Sequence, residues 1–306
     1  MRGKALPTSL VALALLLCAC GGPRPVVVAS KNFTEQLILG EIIAQQVEGC
    51  AQVPVLRRLN LGGTLLAHQA ITSGEVDIYP EYSGTALMSV LKQQPEGTAE
   101  DVMRQVRHAY EEQWAVTWLP SLGFENTFAM AVPRALAEEH QLLTLSDAAN
   151  SNFPWRLGVG YEFEQRPDGL PGLLRVYPLK LNGPPRTMDL GLLYRALEQN
   201  QVDMVAASST DGMLARLGLR VLEDDRQFFP PYEAAVVVNQ KALGRHPALF
   251  GCLDALSGRI SAEAMREMNR QTDEGVSTEE LARKFLGESG LAMPLTQRAG
   301  QADDRQ

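Results

Sequence analysis

A weak internal repeat, in which residues 70–85 resemble residues 196–211 at a constant offset, constrains the fold of this 306-residue chain most strongly. Each copy contains the end of a helix, a residue that tolerates left-handed backbone (Gly74 or Asn200), and a short apolar strand opened by Val-Asp. Polar and aromatic residues follow both strands. Ligands of open α/β sheets bind beyond the carboxyl ends of strands. The repeat therefore predicts two similar lobes that face each other across a cleft.

Strand and helix patterns alternate along the chain, which indicates an α/β fold class with parallel sheets. The alternation restarts after Pro133 and ends with a returning apolar strand at 234–238, followed by helices. We therefore predict that lobe II, residues 132–231, is an insertion in lobe I, residues 26–131 plus 232–300. Two chain crossings of this kind form a hinge that permits closure around a ligand.

The first helix is predicted to begin at the carboxyl end of the first strand, 26–29. Asn32 and Glu35 are the N-cap and N3 residue types of a capping box. Its first-turn amides would then point into the cleft and favour an anionic group such as a carboxylate.

Three aspartates follow or open the repeated strands. Asp77 and Asp203 are expected to make hydrogen bonds at strand edges or turns. Asp211 lies beyond the second strand and is a candidate to face the cleft.

The N-terminus has the pattern of an export signal. Basic residues precede the apolar run 10–17, which is too short to span a bilayer, and small residues follow it. We interpret residues 1–19 as a signal peptide. The sequence up to Cys20 resembles the lipobox of bacterial lipoproteins, in which the cysteine is lipidated, and residues 20–25 would be the lipidated tether. A plain cleaved signal is the alternative.

The charge balance argues against nucleic acid as a partner. Removing residues 1–19 takes away two basic residues and no acidic residue, so the formal net charge falls from −8 to −10. Nucleic-acid-binding proteins present basic patches. The acidic charge leaves cationic or zwitterionic small molecules open as ligands.

Cys50 and Cys252 are the cysteines that remain after the tether. In an oxidising compartment they can form one disulfide, and two buried thiols are the alternative. They do not form a CxxC motif, and no histidine lies at metal-ligand spacing, so neither a redox pair nor a metal site is predicted.

Catalytic and cofactor motifs are missing from the sequence. It has no HExxH, no GxSxG and no phosphate-binding loop of the GxxxxGK[ST] type. Its four histidines are isolated from one another along the chain: His68, His108, His140 and His246. We expect a protein without cofactor or metal that is not an enzyme.

Two tyrosines are expected at the cleft edge. Tyr82 follows the first repeated strand, and Tyr232 follows a Pro-Pro pair at the second crossing. Aromatic ring faces attract cations, and cages of aromatic rings recognise quaternary ammonium groups.

Six motifs, spread in order over nearly the whole mature chain, resemble the substrate-binding lipoproteins of ABC importers for glycine betaine, carnitine and choline. They are SKNFTEQ at 30–36, DIYPEYSGT at 77–85, NTFA at 126–129, YEF at 161–163, STDG at 209–212 and FPPYEA at 229–234. The resemblance implies a two-lobe fold of the type II periplasmic-binding-protein kind.

In that family a cage of tyrosines holds the trimethylammonium group. The resemblance places the cage positions at Tyr82, Phe128, Ser208 and Tyr232. Phe128 keeps the π face but loses a hydroxyl. Ser208 removes one wall of the cage. Its small side chain weakens the hold on a small betaine, or it admits a bulkier ligand.

The anionic end of a ligand needs donors on the lobe I side of the cleft. Lys31, Asn32 and Thr85 are the candidates, together with the amides of the first helix. Lys31 lies within the first matching motif, and Thr85 ends the second.

The resemblance implies an extracytoplasmic solute-binding protein that captures a quaternary ammonium or zwitterionic solute by lobe closure. It would deliver the solute to an ABC permease and its ATPase. We expect a monomer in the periplasm or at the cell surface, held to the membrane by its N-terminal lipid alone. Two alternatives are a larger trimethylammonium ligand such as ergothioneine, and a sensory receptor without transport.

Overall fold

The computed structural model describes residues 24–291, which form two lobes, each built on a five-stranded sheet. The strands of the first sheet are β1 (Val26–Lys31), β2 (Val55–Gly62), β3 (Ile78–Tyr82), β4 (Val116–Glu125) and β10 (Glu233–Asn239). Those of the second are β5 (Phe128–Val132), β6 (Leu157–Val159), β7 (Arg186–Thr187), β8 (Met204–Ser208) and β9 (Arg220–Val221). The spatial orders are β2-β1-β3-β10-β4 and β7-β6-β8-β5-β9, so the two sheets have the same arrangement.

Helices pack around both sheets. In lobe I they are α1 (Thr34–Gln46), α2 (Thr64–Ser73), α3 (Ser83–Thr85), α4 (Ala99–Trp114), α11 (Gln240–Arg245), α12 (Ala248–Asp254), α13 (Ala262–Asp273) and α14 (Thr278–Glu288). In lobe II they are α5 (Arg134–Glu139), α6 (Leu145–Asn150), α7 (Tyr161–Gln165), α8 (Leu170–Val176), α9 (Leu190–Glu198) and α10 (Gly212–Arg216). Two π-helical turns, Val47–Ala51 and Ala86–Leu91, extend α1 and α3.

Both faces of each sheet are buried, which explains the uninterrupted apolar runs in the sequence. In β1, Val26 and Val28 pack in one core cluster, and Val27 and Ala29 pack in a second cluster. Successive side chains of a strand point to opposite faces, so a strand covered on both faces has no polar alternation.

The sheets are mixed, whereas the alternating pattern predicts parallel sheets. β1 pairs in parallel with β2 and β3, and β6 pairs in parallel with β7 and β8. β10 runs antiparallel to β3, and β5 runs antiparallel to β8. The reason is that β5 and β10 each enter their lobe directly after a chain crossing, at the seam where the two lobes meet. They run away from the seam, and β3 and β8 run toward it.

The internal repeat has a structural counterpart in both lobes. Gly74 after α2 and Asn200 after α9 adopt left-handed backbone with φ of 80° and 52°. In both copies the next amide hydrogen-bonds to a carbonyl five positions earlier, at 3.0 and 2.8 Å. The expected helix stops are therefore present at both sites.

The aspartates of the Val-Asp units stabilise strand edges, as the sequence predicts. The Asp77 carboxylate accepts a hydrogen bond from the Val27 amide at 2.9 Å, and the Asp203 carboxylate accepts one from the Arg156 amide at 3.0 Å. Each also pairs with an arginine, Asp77 with Arg245 and Asp203 with Arg156. In each lobe, the hydrogen bond from a backbone amide to the aspartate therefore joins the starts of two neighbouring strands.

The first crossing lies earlier than the sequence predicts. β4 ends at Glu125 in the first sheet and β5 begins at Phe128 in the second, so the chain crosses at residues 126–127. Residues 128–131, which we expected in lobe I, pair with β8 in lobe II. Pro133 ends the strand and does not mark the boundary between the lobes. The return into lobe I precedes β10, which begins at Glu233.

The capping box expected at Asn32 is wrong. The N-cap of α1 is Phe33, and its side chain makes no capping hydrogen bond. Glu35 is 2% exposed and points into the protein. Its carboxyl group accepts hydrogen bonds from Tyr82, Asn126 and Thr210 inside the fold and none from the helix terminus.

Cys50, in the turn after α1, and Cys252, in α12, form a disulfide with their Cα atoms 5.7 Å apart. Of the two alternatives left open by the sequence, the structure has the disulfide. The bond joins the chain before the first crossing to the chain after the second. Lobe II therefore lies within a covalent loop that is closed inside lobe I.

The predicted signal peptide (1–19), Cys20 and residues 20–23 of the tether lie outside the described residues, as do residues 292–300 of lobe I. Within 24–291, no helix has the length and apolar character needed to cross a membrane. The same residues contain no group of three or more acidic, histidine or cysteine side chains that is placed to hold a metal ion.

We predict that the double substitution Cys50→Ser with Cys252→Ser lowers the free energy of unfolding by about 2–4 kcal/mol, because the disulfide restricts the unfolded chain over 202 residues of sequence. Urea denaturation of the wild type and the variant measures the difference. The wild type under reducing conditions is the matched control. An unchanged denaturation midpoint in both would contradict the prediction.

Candidate functional site

The carboxyl ends of the central strands meet at the seam between the lobes. Lys31 ends β1 and Tyr82 ends β3 in lobe I, while Ser208 ends β8 in lobe II. Tyr82 and Ser208 are equivalent in the internal repeat. Their antiparallel neighbours are Ala234 of β10 and Phe128 of β5. Residues predicted from both lobes therefore reach one seam.

Three predicted aromatic residues are grouped at this seam. Phe128 and Tyr232 pack edge to face, with ring centroids 5.8 Å apart. The Tyr82 ring stacks with Phe33 at 6.3 Å, and Phe163 contacts Phe128 at 4.8 Å. Tyr82 and Tyr232 belong to one buried core, and Phe128 packs against it.

The two tyrosine hydroxyls are bound to carboxylates. Tyr82 donates to Glu35 Oε1 at 2.6 Å, and Tyr232 donates to Asp168 Oδ2 at 2.6 Å. Burial, with the charge of the neighbouring carboxylate, raises the pKa of both hydroxyls well above 10. Both tyrosines therefore remain neutral donors, and their rings are held in fixed orientations.

Lys31 is a buried cation beside the first tyrosine. Its Nζ lies 2.5 Å from Glu81 Oε1 and 3.2 Å from Thr64 Oγ1. The same atom is 5.0 Å from the centroid of the Tyr82 ring. A buried charge requires a partner of opposite charge, and Glu81 fills that role.

Arg166 is a second cation at the seam and lies beside the Phe128 ring. Its guanidinium pairs with Asp168, donates to Thr85 Oγ1 at 3.2 Å, and has its Cζ 5.1 Å from the centroid of the Phe128 ring. Burial opposes the charge of Arg166, but the hydrogen bonds and the charge of Asp168 raise its pKa. The group is therefore a permanent cation at the seam.

Glu162 of lobe II binds the start of α2 in lobe I. It accepts hydrogen bonds from the Thr64 amide at 2.5 Å and from the Thr64 hydroxyl at 3.1 Å. Burial opposes ionisation of Glu162, but Lys31 and Arg166 outweigh it and lower its pKa. The lobes are thus in polar contact across the seam.

Glu35 lies at a second contact between the lobes. Its carboxylate accepts hydrogen bonds from Tyr82 at 2.6 Å, Asn126 Nδ2 at 2.7 Å, Thr210 Oγ1 at 2.5 Å and Asn269 Nδ2 at 3.4 Å. Burial raises its pKa, although the four donors oppose this shift.

Ser208, the fourth predicted cage position, has a small polar side chain at the place where lobe I has Tyr82. Its hydroxyl donates to Asn126 Oδ1. It pairs across the sheet with Phe128. The seam is therefore aromatic on the side of Tyr82 and polar at the equivalent position of lobe II.

Of two further predicted ligand-binding residues, the structure places Asp211 at a helix terminus, and Asn32 stays a prediction. Asp211 is the N-cap of α10, where its carboxylate accepts from the Met213 amide at 3.0 Å and from the Tyr194 hydroxyl at 2.6 Å. We expected it to face the cleft, but the helix terminus and the tyrosine hold it. Asn32 is exposed in the turn before α1.

Sequence reasoning missed the charged residues that complete the seam. Arg166 and Asp168 lie outside the matching motifs and received no role, and Glu35 was assigned to a helix cap. Glu81 lies inside a matching motif but received no role. Their proximity to the motifs was the available signal. Their burial and their pairing depend on how the lobes meet, which a local pattern does not contain.

Comparison with known proteins gives one family. The family described as the substrate binding domain of the ABC-type glycine betaine transport system matches residues 24–288. The chain is 34% identical over 275 residues to a glycine-betaine-binding protein of Pseudomonas aeruginosa, which covers 86% of this chain and 88% of that protein.

A second relative is the ergothioneine transport permease/ergothioneine binding protein of Helicobacter pylori (strain G27). It is 32% identical over 270 residues, which cover 88% of this chain and 48% of that protein. The chain therefore spans about half the length of this relative.

A solved structure described as a glycine betaine/carnitine/choline ABC transporter is similar over the whole fold. The TM-score is 0.72 at 31% sequence identity, with 87% of this chain and 99% of that chain covered. This similarity confirms the predicted two-lobe α/β fold of the periplasmic-binding-protein kind.

Proposed function

This chain belongs to the family of substrate-binding domains of ABC-type glycine betaine transport systems, and we propose that it captures a quaternary ammonium solute by lobe closure and presents it to an ABC permease and its ATPase. The family is one of extracytoplasmic solute-binding proteins and not of enzymes. The observation that carries the proposal is the pairing of aromatic faces with cationic donors at one seam.

The ammonium end of the solute would lie against the rings of Tyr82, Phe128 and Tyr232. A cation over an aromatic face gains about 0.5–2 kcal/mol, and more when water is excluded. Lys31 Nζ lies 5.0 Å from the Tyr82 centroid and Arg166 Cζ lies 5.1 Å from the Phe128 centroid, so the ammonium would use the parts of these rings that the protein cations leave open.

The anionic end of a zwitterionic solute would bind Lys31, Thr85 and Arg166. Lys31 of lobe I lies beside the Tyr82 ring, and Arg166 of lobe II lies beside the Phe128 ring and donates to Thr85 of lobe I. Arginine offers a planar set of donors that matches a carboxylate, and lysine adds a second charge. A solute with both ends would thus be held by both lobes, so binding would favour the closed state.

A larger trimethylammonium solute of the ergothioneine kind is the second candidate. Ser208 supports it, because the small side chain leaves room at the position where lobe I has a tyrosine. The similarity to the ergothioneine-binding relative supports it as well.

Membrane attachment would depend on Cys20, which we infer to be lipidated after removal of residues 1–19. The lipobox-like sequence supports this, and the chain enters β1 six residues later, at Val26. Incorporation of labelled palmitate into the expressed protein tests it. We expect the label to be lost in Cys20→Ala and kept in Cys50→Ser, and a labelled Cys20→Ala protein would contradict the inference.

We predict that at least one quaternary ammonium compound raises the melting temperature of the mature protein, because a ligand that binds only the folded state stabilises it. The panel is glycine betaine, choline, carnitine, proline betaine and ergothioneine, with glycine as the control that lacks the methyl groups. A panel without any shift would contradict the proposed substrate class.

We predict that Ser208→Tyr tightens glycine betaine binding by about two- to thirtyfold, because an added ring supplies about 0.5–2 kcal/mol to a cation. Isothermal titration calorimetry measures the change. Ser208→Ala is the control, since it removes the same hydroxyl without adding a ring. Unchanged or weaker binding would show that Ser208 is not a missing wall of the cage.

A further inference from the structure

Glu35 differs from the other buried carboxylates of the seam because all of its hydrogen-bond donors are neutral. Its Oε1 accepts from Tyr82 and Asn126, and its Oε2 accepts from Thr210 and Asn269. The two asparagine amides can only donate to Glu35, whereas the two hydroxyls are able to donate or accept, so the four groups together engage both oxygens of its carboxyl group.

The donors come from both lobes and from the first crossing. Tyr82 ends β3 in lobe I, Asn126 lies between the lobes, and Thr210 follows β8 in lobe II. The hydrogen bond from Thr210 to Glu35 therefore exists only when the lobes are in contact.

The segment around Thr210 fits closely against α13 of lobe I. Asn269 Nδ2 donates to the Thr210 carbonyl at 2.9 Å. A Cβ added at Gly212 would lie 2.8 Å from Arg270 Cα, so only glycine allows this approach. The close contact brings the Thr210 hydroxyl to the carboxylate with a defined geometry.

The same carboxylate also fixes the binding positions. It holds the Tyr82 hydroxyl directly, and it holds Asn126, which accepts a hydrogen bond from Ser208. The aromatic wall of lobe I and the facing position of lobe II are therefore linked through Glu35.

We propose that Glu35 is a positioning residue that couples lobe closure to the orientation of the Tyr82 ring, through the hydrogen bond that it accepts from Thr210 of the opposite lobe. This inference rests on the proposed function, since Tyr82 is taken to contact the solute. Closure then adds a hydrogen bond to the same group that holds the ring.

A double-mutant cycle in glycine betaine binding tests the coupling. Thr210→Val removes the lobe II donor at constant shape. We expect it to weaken binding about tenfold, mainly through faster dissociation, because the hydrogen bond to the Glu35 carboxyl group is lost from the closed state. In a Glu35→Gln background the same change should cost no more than about threefold.

The smaller effect follows from the geometry of the amide. Asn126 lies 2.7 Å from Oε1 and Asn269 lies 3.4 Å from Oε2, so the NH₂ of Glu35→Gln is expected on the Oε2 side. The Thr210 hydroxyl then faces an NH₂ group, which cannot accept its hydrogen bond. Equal effects of Thr210→Val in both backgrounds would overturn the proposal, because independent sites are additive.

Two further variants separate this role from a structural one. Thr187→Val makes the same chemical change in β7, at the far edge of the lobe II sheet, and is expected to leave binding within about twofold. Tyr82→Phe keeps the ring and removes the hydroxyl, and its effect should be non-additive with Thr210→Val. If Glu35→Gln does not fold, this second cycle decides the matter, and additivity in it would overturn the coupling.

Spin labels at Glu75→Cys and Gln201→Cys report closure without reference to any ligand, because these exposed residues occupy equivalent turns of the two lobes. Thr210→Val and Glu35→Gln should each reduce the closed population. If the wild type binds no compound of the panel, the proposed function fails, and the distance distribution alone decides the coupling. An unchanged distribution would then overturn it.

Discussion

Bringing two lobes together over a polar seam removes charged side chains from water, and the cost of that removal governs how the seam is built. Lys31 is paired with Glu81, and Arg166 is paired with Asp168. A buried ion without a partner costs several kcal/mol. Each of these two cations therefore comes with its own carboxylate, and these carboxylates in turn hold a backbone amide and tyrosine hydroxyls in place. The position of the rings follows from this charge pairing as much as from apolar packing.

The two lobes use one scaffold but present different surfaces to each other. Strand order, the left-handed turns and the aspartates at the strand starts are the same in both. The residue at the end of the repeated strand is Tyr82 in one lobe and Ser208 in the other. Features that stabilise the sheet are thus retained in both copies. The side chains at the strand ends carry the difference, because strand pairing at these positions uses the backbone and does not fix the residue type.

The sequence predicted the parts of the molecule that depend on local pattern. The repeat, the inserted lobe and the aromatic positions follow from apolar periodicity, turn residues and the family resemblance, and the structure places Tyr82, Phe128 and Tyr232 together. The lobe boundary was misplaced because Pro133 marks the end of a strand, whereas strand pairing decides which sheet that strand joins.

Errors at individual side chains have a common origin. Glu35 has the residue type of a helix cap, and Asp211 has the position of a cleft residue. In the structure each carboxyl group binds partners other than those its type or position predicts. Those partners come from segments far away along the chain or from a helix terminus formed by the following residues. Long-range pairing of this kind cannot be read from a single stretch of sequence.

The disulfide between Cys50 and Cys252 has a consequence for exchange of the inserted lobe. Because Cys50 and Cys252 fasten the two halves of lobe I to each other, the scaffold does not need the inserted lobe to keep its ends in register. Lobe II is in this sense a cassette between two short connectors. A cassette from another family member, grafted at residues 126–127 and 230–232, would meet a receiving half that is already fastened, and selectivity could then change by exchange of one half of the molecule.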